Sequence, residues 1–188
     1  MQRTLVEQAG RGDEEAFASL ARASADRLMA IAFRILRDVG RAEDATQAAL
    51  LSAWRQLPNL RDPDKFDAWL RRLLVNACYV EARRERQWTR SIRVLAVDDR
   101  ASSPDGARDV AFRDAFDRVF RRLPADQRVV FVYRHYLGFD LQEIADELGI
   151  PLGTVKSRLH YATHAMRAAL GEDRDVARDP HLPSERSA

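Results

Sequence analysis

Between Thr154 and Tyr161 the chain places Thr154, Lys156, Ser157, Arg158, His160 and Tyr161 within eight residues. Hydroxyls, a ring nitrogen and an ammonium can meet base edges, and cations can meet phosphates, so this mixture on one helix is the chemistry of a major-groove contact. The surrounding pattern supplies the helix. Val155, Leu159, Ala162, Met166 and Leu170 form an apolar stripe. Ser157, His160, Tyr161 and His164 then lie on the opposite side, with Lys156 and Arg158 flanking them. Upstream, Leu141, Ile144, Ala145 and Leu148 stack at i, i+3, i+4 and i+7, which predicts that Gln142, Glu143, Asp146 and Glu147 face water. Gly149 suits the left-handed stop of that helix, and Pro151 suits the start of the next. Leu141 to His160 therefore reads as helix, tight turn, helix, the geometry of a DNA reader. A plain helical hairpin with a solvated charged face has the same spacing.

A second cluster lies in the predicted helix from about Lys65 to Arg86, where Phe66, Trp69, Leu70, Leu73, Ala77 and Val80 fall along one side. Arg71, Arg72, Arg83, Arg84, Arg86, Arg90 and Arg93 outnumber Glu81 and Glu85 there, and Trp69, Tyr79 and Trp88 interleave with them. Arginine among aromatic rings suits single-stranded nucleic acid, whose backbone attracts the cations and whose unpaired bases stack on the rings. A core tryptophan and a cationic helix end complementing the dipole would give the same composition.

Composition bounds the rest. The 188 residues, 46% of them hydrophobic, fit one domain or two small ones. The net charge of +2 leaves any nucleic-acid argument to the distribution of charge. The single cysteine, Cys78, cannot form an internal disulfide, and no Cys and His pattern matches a zinc site, which predicts a reducing, cytoplasmic setting. His160 and His164 are four apart but lack an HExxH motif or a nearby third ligand, and His135 stands alone. We therefore expect no metal, no cofactor and no enzymatic activity. No signal peptide is evident, and the most apolar run, Leu28 to Leu36, is short and interrupted by Arg34, so stable membrane insertion is not expected.

The periodicity is helical throughout, which predicts an all-α chain of two small domains. Their expected limits are residues 1–90 and 110–170, joined by a flexible linker at 91–109 containing Asp98, Asp99, Ser102, Ser103, Pro104 and Gly106, and followed by a disordered tail at 171–188. In the first domain Asp13 is placed to cap a helix carrying Phe17 and Leu20, and Leu28, Ile31, Ala32 and Ile35 continue its buried face. A helix after Gly40 ends near Leu57 and Pro58, and a loop runs to Asp64.

The order of these segments resembles the extracytoplasmic-function (ECF) sigma factors of the sigma-70 family, the promoter-recognition subunits of bacterial RNA polymerase. The resemblance spans nearly all of residues 8–170 and is carried by GDEEAF from Gly12, AEDATQAALLSAW from Ala42, RDPDKFDAWLRRLLVNACYVEARR from Arg61, and LPADQRVVFVYRHYLGFDLQEIADELGIPLGTVKSRLH from Leu123. It implies that Asp44, Gln47, Trp54 and Arg55 dock on the β′ clamp helices of core RNA polymerase, with the β flap as a further polymerase contact. It implies that the loop with Asn59, Arg61 and Lys65, together with the helix face of Asn76, Tyr79 and Arg83, holds the minus-ten promoter element as it opens. Thr154, Lys156, Ser157, His160 and Tyr161 would read the minus-thirty-five element, with Arg158 on phosphate. An anti-sigma factor is implied as a partner. The chain departs from the family at Ala48 and Val80, where an acidic residue is frequent, and at Val75, where an arginine is. The competing expectation is a stand-alone helix-turn-helix regulator, which would bring a dimerisation or ligand domain in place of the arginine-aromatic block.

Overall fold

The computed structural model describes residues 2–93 and 107–170, with side chains for 2–88 and 115–168. The expected flexible linker falls largely outside the described residues, at 94–106, and the expected disordered tail falls wholly outside them. Every described element is helical. The first region holds α1 (Gln2–Gly10), α2 (Glu14–Leu36), α3 (Val39–Gln56), two short 3-10 turns (Leu57–Asn59 and Pro63–Lys65) and α4 (Phe66–Arg93). The second holds α5 (Ala107–Arg122), α6 (Ala125–His135), α7 (Leu141–Leu148) and α8 (Leu152–Leu170).

Local chemistry sets the helix limits. The carboxylate of Asp13 accepts a hydrogen bond from Ala16 N at 3.0 Å, and Glu14 and Glu15 in the first turn of α2 complement its dipole. Asp38 does the same for α3, accepting from Arg41 N at 2.9 Å. Along α3 the small side chains Ala42, Ala45, Ala49 and Ala53 are all fully buried, which lets its backbone lie close to α2 and α4. The helix α7 opens with a reciprocal capping box: Asp140 accepts from Glu143 N at 2.8 Å, and Glu143 accepts from Asp140 N at 2.7 Å. It closes at Gly149, whose φ of 65° is the left-handed value that glycine adopts without a Cβ penalty.

The two regions pack on one another, α2 and α4 against α6 and α7. This contact corrects two expectations. Glu147, expected to face water, forms a two-pronged ion pair with Arg71 of α4, in which Arg71 Nη2 donates to Glu147 Oε2 at 2.9 Å. Arg71 thus belongs to the contact and not to an exposed basic side. On α4 the apolar stripe is rotated from the expected one. Val80 is half exposed, Trp69, Leu73 and Ala77 are partly buried, and Leu70, Leu74, Val75, Cys78 and Ala82 carry the core. A helix that meets α2 and α3 on one side and α6 and α7 on the other buries more than one stripe, so a single-face reading misses part of it.

Candidate nucleic-acid interface

The outward face of α8 is built as its spacing predicts. Val155, Ala162 and Met166 are buried, while Lys156, Ser157, His160, Tyr161 and His164 are exposed. Tyr161 keeps 62% of its surface free although it is a large ring, and the His160 ring lies edge-on to it with centroids 5.7 Å apart. Thr154 is half-buried, and its carbonyl accepts a hydrogen bond from Ser157 Oγ at 3.0 Å. Arg158 is set apart from this face. It pairs with Asp126 in the first turn of α6 at 3.0 Å and points into a cleft between the two regions.

That cleft, of about 430 Å³, brings together Arg72, Asn76, Tyr79, Arg83 and Arg86 of α4 with Asp126, Leu148, Ile150 and Arg158 of the second region. Three expected residues, Asn76, Tyr79 and Arg83, therefore share one wall. Arg72 and Arg86 join them; their places in the arginine-rich run were visible in the sequence, but their common wall needed the helix phase. The remaining three, Asn59, Arg61 and Lys65, are exposed in the turns before α4. At 1.5 Å of helix per residue, Lys65 and Arg83 are about 27 Å apart along the axis. The structure gives two groups on one helix edge, not one pocket. The turn group is anchored from behind, since Arg3 Nη1 donates to Asp64 at 2.7 Å and Arg27 Nη2 to Asp67 at 2.7 Å.

On the α2–α3 side lies an open apolar groove of about 470 Å³, lined by Glu14, Phe17, Gln47, Leu50, Leu51 and Trp54. The Phe17 and Trp54 rings meet with centroids 4.9 Å apart. Of the expected docking residues, Gln47 and Trp54 line this groove, while Asp44 and Arg55 are exposed on the same helix. Leu51, 57% exposed, was missed; an apolar residue off the buried stripe was its only signal in the sequence.

The inter-region contact has an uneven charge balance. The hydrogen bonding that Arg71 donates to the Glu147 carboxylate raises the pKa of Arg71 above its ordinary value. Arg128 of α6 is 1% exposed, its Nε and Nη1 have no partner, and burial lowers its pKa. After burial, the charges that act on it most are those of α4, Glu85 opposing the fall and Arg86 adding to it. Cys78 beside it is fully buried, and burial pushes its thiol up to about 12. The Tyr133 hydroxyl is also buried without a partner. Among the described residues no three His, Cys, Asp or Glu side chains come together as a metal site, and no helix is long and apolar enough to cross a membrane.

Comparison with known proteins accounts for both regions. Residues 20–89 match the sigma-70 region 2 model and residues 113–162 the sigma-70 region 4 model. The ECF RNA polymerase sigma factor SigL of Mycobacterium tuberculosis is 33% identical over 175 residues, covering 86% of this chain and 94% of the relative. The RNA polymerase sigma-H factor of Pseudomonas aeruginosa is 30% identical over 179 residues, covering 88% and 92%. Among solved structures, the sigma factor RpoE in complex with the anti-sigma factor NepR from Bartonella quintana superposes with a TM-score of 0.59 at 26% identity, covering 84% of this chain and 98% of that one. CnrH in complex with the cytosolic domain of CnrY gives 0.61 at 24% identity, covering 92% and 98%, and supports the fold. With a region 2 that carries an arginine-lined cleft wall, a region 4 that presents a helix-turn-helix, and relatives matched over almost their whole length, the chain belongs to the sigma-70 family as an ECF sigma factor, a non-catalytic RNA polymerase subunit for transcription initiation.

Proposed function

We propose a division of labour in which residues 1–90 bind core RNA polymerase and the minus-ten element, residues 110–170 read the minus-thirty-five element, and residues 91–109 connect them. The observation that carries this reading is the outward face of α8, where Lys156, Ser157, His160 and Tyr161 stand exposed on a helix whose other side is core. A helix held in this way can enter the major groove with its first turns on base edges. Thr154 supports that face from its margin. Arg158 reaches phosphate once it leaves Asp126. Asn76, Tyr79 and Arg83 hold the opened minus-ten strand, with Asn59, Arg61 and Lys65 gripping it at the turns that precede α4. The turn group, with Asn59, Arg61 and Lys65 exposed, is the part of this face assigned to an extruded base.

The apolar groove at Phe17, Leu51 and Trp54, with Asp44, Gln47 and Arg55 around it, suits the β′ clamp helices, since an exposed apolar patch rimmed by polar groups is the form of a protein docking site. The β flap is the second polymerase contact, through the region containing α5 to α8. An anti-sigma factor is a further partner; the complex of RpoE with NepR supports that reading by likeness of fold and sequence.

The test is co-elution with core polymerase followed by permanganate footprinting on a promoter found by run-off transcription. Asn76→Ala with Arg83→Ala is expected to leave co-elution intact and to remove reactivity from thymines of the opened segment. Normal opening by that variant would sink the minus-ten assignment.

A further inference from the structure

Val80 is an apolar side chain set in a polar row. It is 50% exposed, although its spacing on α4 suits a buried stripe. Its helix neighbours at i−4, i+3 and i+4 are Asn76, Arg83 and Arg84, all of them exposed. Side chains so spaced stand about 5–6 Å apart at Cβ, so the three surround the valine. Arg84 Nη1 donates to Glu81 at 2.6 Å, which ties that cation back along the helix toward Val80. Ala77, at i−3, is partly buried and continues the apolar surface inward. The result is a small apolar spot rimmed by one amide and two guanidinium groups. Among the described residues the other large apolar side chain exposed on α4 is Trp88, about 12 Å further along the axis.

The size and rim of this spot indicate what covers it. One half-exposed valine is far smaller than the several hundred Å² of apolar surface over which a protein partner docks. A single base fits better, with its phosphate on arginine, its polar edge on Asn76 and an apolar substituent on the valine. Of the four DNA bases only thymine carries such a substituent, its C5-methyl group, and apolar contact with that methyl distinguishes thymine from the rest. Valine is well suited to make the contact. Its β-branch leaves one strongly preferred χ1 rotamer in a helix, so its methyl groups are held in place before the strand arrives and little freedom is lost on binding.

We propose that Val80 is a specificity-determining residue of the minus-ten face, selecting a thymine of the opened strand through its C5-methyl group. The inference rests on the assignment of α4 to that strand and goes a step beyond it. Arginine on phosphate grips any sequence, and an aromatic ring such as Tyr79 stacks on any base. Val80 adds a preference to that grip. A cytosine in the same place has only hydrogen at C5 and leaves the valine methyl groups against water.

The test uses the full chain assembled with core RNA polymerase, with core polymerase alone as the baseline, and reads the anisotropy of short fluorescein-labelled oligo(dT) and oligo(dU). The two probes differ only in the C5-methyl groups. Binding above the baseline is expected to favour oligo(dT) about threefold to fourfold, the worth of one buried methyl group. Val80→Ala removes the contact at an exposed site where alanine is the better helix former, and the ratio is expected to fall to near one. Asn76→Ala with Arg83→Ala is expected to weaken the binding of both probes. Equal affinity for the two probes in the parent chain overturns the inference, and so does a thymine preference that survives Val80→Ala. If Asn76→Ala with Arg83→Ala leaves both affinities as they were, the reading of α4 fails and takes Val80 with it. Weakened binding in that variant, with no thymine preference in the parent, overturns the role of Val80 alone.

Discussion

Helices α4 and α8 both carry a row of polar and cationic side chains, but the α8 row stands clear of the rest of the protein, whereas the central α4 row, with Asn76 and Arg83 exposed and Tyr79 half-buried, runs along the wall of a cleft. On α8, Lys156, Ser157, His160 and Tyr161 meet nothing that would have to leave before DNA arrives. On α4, Asn76, Tyr79 and Arg83 look across a cleft at Asp126 and Arg158. Under the proposed division of labour, the row assigned to duplex DNA is open on all sides and the row assigned to the opened strand is approached along a cleft wall.

The largest effect that bears on this contrast is at Cys78, under the covered helix. With burial pushing its thiol from an ordinary value of about 9 up to about 12, the thiolate fraction at a given pH falls roughly a thousandfold. Folded protein at pH 8 should label with a thiol reagent that much more slowly than denatured protein; labelling at an ordinary rate would mean that α4 is not covered as described. The same shift links folding to pH. A group whose pKa is raised on folding contributes stability below its unfolded value and loses it upward, so the unfolding free energy should decline from about pH 9 toward about pH 12, and Cys78→Ala should flatten that slope.

On the open side, Lys156→Ala with Ser157→Ala should cut run-off transcription about tenfold or more, in keeping with ~1–3 kcal/mol for a good base contact. Its radius of gyration should match that of the parent chain. Unchanged promoter use would remove α8 from the comparison. A smaller effect is expected at the entry to the helix-turn-helix. Asp140→Ala removes the carboxylate that accepts from Glu143 N, leaves the residue 140 N–H donating to Glu143, and should destabilise region 4 by about 1 kcal/mol in thermal melting, a typical cost for a lost N-cap.

The parts of this molecule that obey local rules were legible in the sequence. Asp13 caps α2, Gly149 turns left-handed, and the Val155 to Met166 stripe is core because each depends on neighbours within a few residues. The exposure of Lys156, Ser157, His160 and Tyr161 on α8 was legible for the same reason. What the sequence did not show was the partner of a surface that packs between regions. Glu147 has the spacing of a water-facing residue, and nothing local says that Arg71, far away in the chain, will meet it. Val80 stood on the expected stripe but lies half exposed, because packing on both sides rotates the buried face of α4. The groove at Leu51 was half legible, since an exposed leucine breaks the pattern without saying what it binds.

Gly149 sits at the junction of these two kinds of information. Its φ of 65° is demanded by the turn into α8, and a Cβ there would meet the guanidinium of Arg72, the far end of a flexible and exposed side chain. The backbone is therefore the stricter of the two conditions, since asparagine tolerates the left-handed turn and Arg72 can swing aside to admit a side chain. Sequence drift at this position is bounded by which residues accept the turn, and the arginine on the other helix can follow without being replaced.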